Sequence, residues 1–165
     1  MTRSAMWLAM LPVAMLGACG QAPDPGSGAA GADAPLTAAA LGEQQVLSVA
    51  EYLAEPRYAD ADIDKGADQA RICRACHTLE EGGQTLLGPN LYGMFGQPAG
   101  KRQDFGYSPT LAEADFVWTP RALEAWLEQP ARFLPGNRMS YPGLADGRKR
   151  ADLVAYLLRA TSGPQ

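Results

Sequence analysis

The chain has 165 residues, of which 47% are apolar, 19% charged and 8% aromatic, values typical of one ordinary globular domain rather than a disordered or fibrous chain. Its formal net charge is −4, so the basic footprint of a nucleic-acid binder is missing and we expect no nucleic-acid partner. The sequence has one histidine, His77, and three cysteines, Cys19, Cys73 and Cys76, which excludes every site that needs two histidines.

Residues 1–18 have the composition of an export signal. Arg3 supplies a positive start, and the apolar run from Ala5 to Leu16 is shorter than the roughly 20 residues that span a bilayer. The stretch Leu16-Gly17-Ala18-Cys19 resembles a bacterial lipobox, in which the signal is cut before a cysteine that then carries lipid. A plain signal that leaves Cys19 as an odd thiol is the alternative, but such a thiol is unusual in an exported chain. We therefore expect a lipid anchor at Cys19 on the periplasmic side of a bacterial membrane.

Two segments of different composition follow. Residues 19–35 are small and rich in Gly and Pro, and they cannot bury enough apolar surface to offset the entropy of ordering them, so we interpret them as a flexible tether. Residues 36–63 form an acidic extension that we expect to be partly helical, because Leu47, Ala50, Leu53 and Ala54 share helical spacing before Pro56 ends the pattern. We expect this extra helix to lie on the main domain, residues 64–165.

The main domain contains the sequence Cys73-Arg74-Ala75-Cys76-His77, a C-x-x-C-H motif typical of covalent c-type haem attachment. Two thiols three positions apart on a helical turn can each reach one haem vinyl group, and the adjacent His77 can direct its imidazole to the iron. A thioredoxin-like pair would need a βαβ pattern, a zinc site would need four ligands, and a disulfide would leave His77 unexplained. The motif therefore predicts one haem c, bound through Cys73 and Cys76, with His77 as a metal ligand.

Helices are predicted at four places in the main domain. The first covers residues 65–74 and leads into the motif. Two short helices begin at Ser108-Pro109 and at Thr119-Pro120, where a hydroxyl side chain caps the helix and proline suits its first position. The last helix begins after Asp146. Since no alternating strand pattern is evident, we predict an all-α fold in which Gly- and Pro-rich loops join the helices.

No second histidine exists to bind the other side of the iron, and a thioether ligand has to come from a methionine of the mature chain. Only Met94 and Met139 lie outside the signal. Met94 lies in an apolar stretch and is expected to fill the core, as methionine often does. Met139 lies in a loop stiffened by Pro135, Gly136 and Pro142, which can aim one side chain at a buried iron. We predict Met139 as the second metal ligand.

From Lys65 to Thr161 the chain resembles the class I, mitochondrial-type monohaem cytochromes c, here in a membrane-anchored bacterial lipoprotein form. The resemblance implies the class I cytochrome c fold, a few short helices and Gly/Pro-rich loops wrapped round one covalently bound haem. The matching residues are, in chain order, Gly66, Cys73 to His77, Gly88-Pro89-Asn90-Leu91, Gly93, Phe95-Gly96, Tyr107, Trp118, Trp126, Pro130, Met139 and the run from Asp152 to Leu157.

The resemblance also implies roles for further cofactor-binding residues. The Pro89 carbonyl would accept a hydrogen bond from the His77 ring N–H and so fix the imidazole. Tyr107 and Trp118 would donate to a haem propionate, since a carboxylate in a poorly solvated cleft needs donors. Trp126 stands where the family usually has a tyrosine near the methionine ligand, and its indole N–H can donate there.

Some positions depart from the family pattern. Ala70 stands in place of the aromatic residue usual in the first helix, and Gln97 in place of an arginine beside the propionates. Ile72, Gln84 and Leu86 lie where basic residues are common. We therefore expect partner docking to depend less on salt than it does in strongly basic relatives.

The function that the resemblance implies is that of a single-electron carrier of a respiratory chain, not an enzyme, whose iron cycles between Fe(II) and Fe(III) with His77 and Met139 bound. Its partners would be a quinol:cytochrome c reductase and a terminal oxidase, and the protein would be a monomer. Two alternatives stay open. One is a dedicated electron acceptor or donor for a periplasmic dehydrogenase or peroxidase, and the other is a haem ligand sensor from which Met139 dissociates.

Overall fold

The computed structural model describes residues 35–162. The predicted signal (1–18), the predicted lipid site at Cys19 and all of the predicted tether except Pro35 lie outside the described residues. Among the helices in the described range, none is long and apolar enough to cross a bilayer.

Seven α-helices form the described part of the chain, which contains no β-strand beyond an isolated bridge between Pro98 and Val117. The all-α architecture expected from the sequence is confirmed. The helices are α1 (Val49–Ala54), α2 (Pro56–Ala59), α3 (Ile63–Arg74), α4 (Pro109–Ala112), α5 (Pro120–Glu128), α6 (Pro130–Phe133) and α7 (Gly147–Ala160), preceded by a 3₁₀ turn at Ala38–Ala40.

Local capping explains where the main-domain helices begin. Ser108, Thr119 and Asp146 accept hydrogen bonds from backbone N–H groups in the first turns of α4, α5 and α7, as the sequence predicted. The helix expected over 65–74 begins earlier, at Ile63, because Asp62 accepts from the Lys65 N–H at 3.1 Å.

The crossing of α3 and α7 forms one side of the core. A Cβ atom at Gly66 would lie 2.2 Å from the Asp152 carbonyl oxygen and 2.8 Å from the Tyr156 Cβ, so only glycine permits this approach. Ala70, one turn later, is completely buried. The small Ala70 side chain therefore lies within the tightly packed core.

Aromatic side chains fill the other side of the core, between α5, α6 and the segment before α5. Phe116, Trp118, Trp126 and Phe133 pack edge to face, with ring centroids 4.9 to 5.9 Å apart. Edge-to-face pairs are worth about 0.5–1.5 kcal/mol each beyond the area they bury. This cluster fixes Trp118 and Trp126 relative to each other.

The extension is folded onto the main domain, but it is not one helix. Residues 41–48 are irregular, α1 begins at Val49 because Ser48 and Glu51 form a reciprocal capping box, and Pro56 starts the separate helix α2. A capping box sets the start of a helix, so Leu47, the first residue of the predicted helical spacing, lies outside α1. Leu41, Tyr52 and Tyr58 are buried and join the core.

Candidate functional site

The attachment motif lies at the end of α3. Cys73 is in the last turn of the helix, and its carbonyl accepts hydrogen bonds from the Cys76 N–H at 3.1 Å and the His77 N–H at 2.9 Å. The turn therefore continues through the motif and keeps the two thiols and the imidazole together. Both thiols are free and half-buried, and burial raises the pKa of Cys73.

The His77 ring is held by the loop that follows. Its Nδ1 lies 2.7 Å from the Pro89 carbonyl oxygen, and because a carbonyl only accepts, Nδ1 carries the proton and Nε2 keeps its lone pair. Burial lowers the pKa of His77, which favours the neutral imidazole that binds a metal. A Cβ at Gly88 would lie 2.3 Å from the ring Cε1. The ring therefore packs directly against the Gly88 backbone, where no side chain would fit.

Asn90 stabilises this loop, a role that the sequence did not indicate. The side chain is buried, its Nδ2 donates to Thr78 Oγ1 at 2.7 Å and to the Glu80 carbonyl at 3.0 Å, and its Oδ1 accepts from the Tyr92 N–H at 3.1 Å. The loop carrying Pro89 is thus fastened to the residues that follow the motif. The position of Asn90 directly after Gly88-Pro89 is the sequence feature that could have pointed to this role.

The loop between α6 and α7 that carries Met139, which we call the methionine loop, lies against α5. Trp126 Nε1 donates to Met139 Sδ at 3.1 Å, and the indole is buried while Met139 is half-buried. Asn137 shapes the loop, since its Oδ1 accepts from the Met139 N–H at 2.9 Å and its Nδ2 donates to the carbonyls of Pro130 and Leu134 at 2.8 Å. Met94, by contrast, lies in the core.

Trp118 is brought next to Trp126. Their ring centroids are 5.5 Å apart at an interplanar angle of 83°. The Trp118 backbone pairs with residues 96–97, because its N–H donates to the Gln97 carbonyl and its carbonyl accepts from the Gly96 N–H, each at 2.9 Å. The structure therefore places Trp118, Trp126 and Met139 in one contiguous group.

Tyr107 lies on a separate loop, half-buried with its ring edge-on to Phe105 at 4.9 Å. Burial raises the pKa of its hydroxyl, so the group is a neutral donor at ordinary pH. Arg138 donates to the carbonyl of Gly106. This bond joins the Met139 loop to the loop that carries Tyr107.

These side chains fit a covalently bound haem. The two free thiols have the spacing of the attachment motif, His77 has an unprotonated Nε2, and Met139 offers a thioether sulfur. An imidazole and a thioether are a donor set that holds iron on two sides. Cys73 and Cys76 would attach the cofactor, with His77 and Met139 on the iron.

Comparison with known proteins agrees with this chemistry. No protein-family model matches the chain. A cytochrome c homolog of Bradyrhizobium diazoefficiens is 38% identical over 106 residues, which are 64% of this chain and 58% of that protein. Cytochrome c of Theileria parva is 38% identical over 104 residues, 62% of this chain and 90% of that protein. Cytochrome c2 of Rhodopila globiformis is 42% identical over 86 residues, 52% of this chain and 80% of that protein.

Proposed function

Given that the chain belongs to the cytochrome c family, whose members are electron carriers with covalently bound haem c and not enzymes, we propose that it serves a respiratory chain while tethered to a membrane, with His77 and Met139 as the axial ligands. When bound, the haem supplies a one-electron Fe(III)/Fe(II) couple. The chain's own residues would hold the haem in place, set its environment and limit the access of other molecules to it.

The observation that carries the proposal is the 3.1 Å hydrogen bond from Trp126 Nε1 to Met139 Sδ. An indole N–H only donates, so it engages one sulfur lone pair and leaves the other for a metal. The Pro89 carbonyl accepts from His77 Nδ1, which would make the ring a better ligand through Nε2 when the haem is bound. With His77 and Met139 both bound to the iron, the chain would leave no place there for a substrate, which suits an electron carrier.

Partner docking would use the surface around the attachment motif. Ile72, Leu86 and Leu87 are 56%, 48% and 82% exposed, and the Leu86–Gly88 turn is bonded to the motif through the Gly88 N–H and the Cys76 carbonyl at 2.9 Å. We call these three side chains the apolar edge. Such a surface suits partners that dock through apolar contact.

Charge at the apolar edge is low because the neighbouring arginines are paired. Arg71 Nη2 lies 2.6 Å from Asp68 Oδ1. Arg74 Nη1 lies 3.7 Å from Glu80 Oε2. A quinol:cytochrome c reductase as electron donor and a terminal oxidase as acceptor fit the proposal. Oxidation of the reduced protein by a periplasmic peroxidase alone, or reduction by a periplasmic dehydrogenase alone, would favour the dedicated-partner alternative.

The axial ligation is tested by Met139→Ala, with Met94→Leu as the control that keeps core volume. We expect Met139→Ala to open the site, so that the reduced protein binds carbon monoxide and its reduction potential falls. Met94→Leu should keep the spectrum and the potential of the unaltered protein. Carbon monoxide binding by the unaltered protein, or an unchanged spectrum in Met139→Ala, would contradict the proposed ligation.

The membrane tether rests on the lipobox-like sequence that ends at Cys19. Stable anchoring needs two acyl chains or an equivalent second signal, and a lipidated bacterial cysteine carries them. Cys19→Ser should move the haem protein from the membrane fraction to the soluble periplasmic fraction. Gly20→Ser, which keeps the thiol, should leave it on the membrane. Membrane association that survives Cys19→Ser would refute the anchor.

A further inference from the structure

Gln44 lies in the irregular stretch before α1 and binds a segment more than 70 positions away. Its Nε2 donates to the Val117 carbonyl at 2.8 Å and to Thr119 Oγ1 at 3.0 Å, and its Oε1 accepts from the Val117 N–H at 2.8 Å. One side-chain amide thus pairs with both polar backbone groups of Val117, as a neighbouring strand would.

The segment that Gln44 binds is the one that carries Trp118. On its other side, residues 117–118 pair with residues 96–98 through the Pro98–Val117 bridge and the Trp118–Gln97 bond. Gln44 therefore completes the hydrogen bonding of this segment from the side that would otherwise be an open edge. Arg121 strengthens the same junction, because its Nη1 donates to the Leu41 carbonyl at 3.1 Å.

Two routes lead from Gln44 to the methionine loop. Along the first, Trp118 packs edge to face on Trp126, whose Nε1 donates to Met139 Sδ. Along the second, Thr119 Oγ1 accepts from the Ala122 N–H at 3.2 Å and so caps α5, the helix that carries Trp126. Both routes end at the same indole.

We infer that Gln44 is a positioning residue, which holds the Trp118 segment and the start of α5 so that the Trp126 indole keeps its N–H on the Met139 thioether. This inference rests on the proposed role of Met139 as an iron ligand. It gives the extension a function in setting the axial ligation, beyond covering the core. Loss of the Gln44 amide should make Met139 easier to displace.

The test measures the affinity of the oxidised, haem-loaded full chain for added imidazole, which competes with Met139 for the iron. Since one hydrogen bond contributes on the order of a tenfold factor in an equilibrium, we expect Gln44→Ala to bind imidazole about tenfold more tightly. Gln45→Ala is the matched control, because Gln45 is the adjacent glutamine and is exposed, and it should leave the affinity unchanged. Gln44→Asn, whose shorter amide cannot reach all three partners, should raise the affinity as well and serves if Gln44→Ala does not fold.

A double variant separates positioning from general loosening. If Gln44 acts through the indole N–H, Gln44→Ala should have no further effect on imidazole affinity when Trp126→Phe is already present. An undiminished tenfold effect of Gln44→Ala in that background would overturn the inference. So would equal imidazole affinities of Gln44→Ala, Gln44→Asn and Gln45→Ala. In both cases the proposed ligation stands if Met139→Ala still binds imidazole more tightly than the unaltered protein. If Met139→Ala and the unaltered protein bind imidazole equally, the proposed ligation itself fails, and the inference with it.

Discussion

The Arg57 guanidinium donates through Nε and Nη2 to the two oxygens of the Glu124 carboxylate and so joins α2 of the extension to α5. Arg57 Nη2 also donates to the Gly147 carbonyl at 3.1 Å, and the Tyr58 hydroxyl donates to Glu124 Oε1 at 2.8 Å. The Glu124 side chain is 10% exposed and that of Arg57 is 48% exposed. A nearly buried carboxylate thus depends on two side chains of the extension for its hydrogen bonds.

Arg57→Ala should lower the free energy of unfolding by about 2 kcal/mol, because it leaves a buried carboxylate with one donor; the half-exposed arginine keeps the loss below the range for fully buried pairs. Urea denaturation of the haem-loaded chain measures it. Arg71→Ala is the control, since its pair with Asp68 is exposed on both sides and should cost little. Equal losses in the two variants would show that the Glu124 contact carries no special weight.

Tyr58 should make the folded chain less stable in alkaline solution. Burial, and then the neighbouring Glu124 carboxylate, raise the pKa of its hydroxyl far above the ordinary value. A group whose pKa is raised in the folded state contributes stability that is complete below its unfolded pKa, about 10, and is lost as the pH rises above it. The measurement is the free energy of unfolding from about pH 8 upward, which begins roughly two units below that pKa. It should decline less steeply with pH in Tyr58→Phe than in the unaltered protein.

The control for this pH dependence is Tyr92→Phe. The Tyr92 hydroxyl also lies near a carboxylate, 3.3 Å from Glu81, but the contact is exposed. Burial raises the pKa of Tyr107 and Tyr141 too, so both variants retain part of the alkaline slope. The prediction fails if Tyr58→Phe and Tyr92→Phe flatten the slope equally.

Gly88→Ala should disturb the His77 side of the site. The added methyl carbon would lie 2.3 Å from the His77 Cε1, so the ring or the loop has to move, at a cost of about 1–3 kcal/mol. We expect a reduced yield of haem-loaded protein and an altered absorption spectrum. Gly106→Ala adds the same methyl group where no atom lies within 4 Å and φ is not positive, and should change neither. A normal spectrum in Gly88→Ala would argue against His77 as a ligand held by this packing.

The apolar edge can be tested without a foreign partner, through electron self-exchange between oxidised and reduced copies measured by NMR. Leu87→Lys places like charges opposite each other when two copies meet, and should slow exchange about threefold or more at low ionic strength, where screening extends to roughly 30 Å at 0.01 M. Ala59→Lys changes the net charge equally at an exposed position of α2 and serves as the control. Equal rates in the two variants would place the electron-transfer surface elsewhere.

Several features of the fold and site were open to prediction because they depend on neighbours in the sequence. The caps Ser108, Thr119 and Asp146 each act within three residues, and the Cys73–His77 turn is closed by bonds to the Cys73 carbonyl. The extension was harder to predict. Its helical spacing begins at Leu47, yet the capping box of Ser48 and Glu51 starts α1 only at Val49.

The sequence by itself determined the chemistry of the site, since the spacing of Cys73, Cys76 and His77 and the shortage of other ligands leave few alternatives. Only the tertiary structure decided how Gln44 meets Val117, how Arg57 meets Glu124 and how Trp126 meets Met139. The first two pairs join residues more than 60 positions apart, and the third joins a helix to a loop. Hydrophobic spacing reports which side of a segment is buried, but the partner of a polar side chain is set by how whole segments pack.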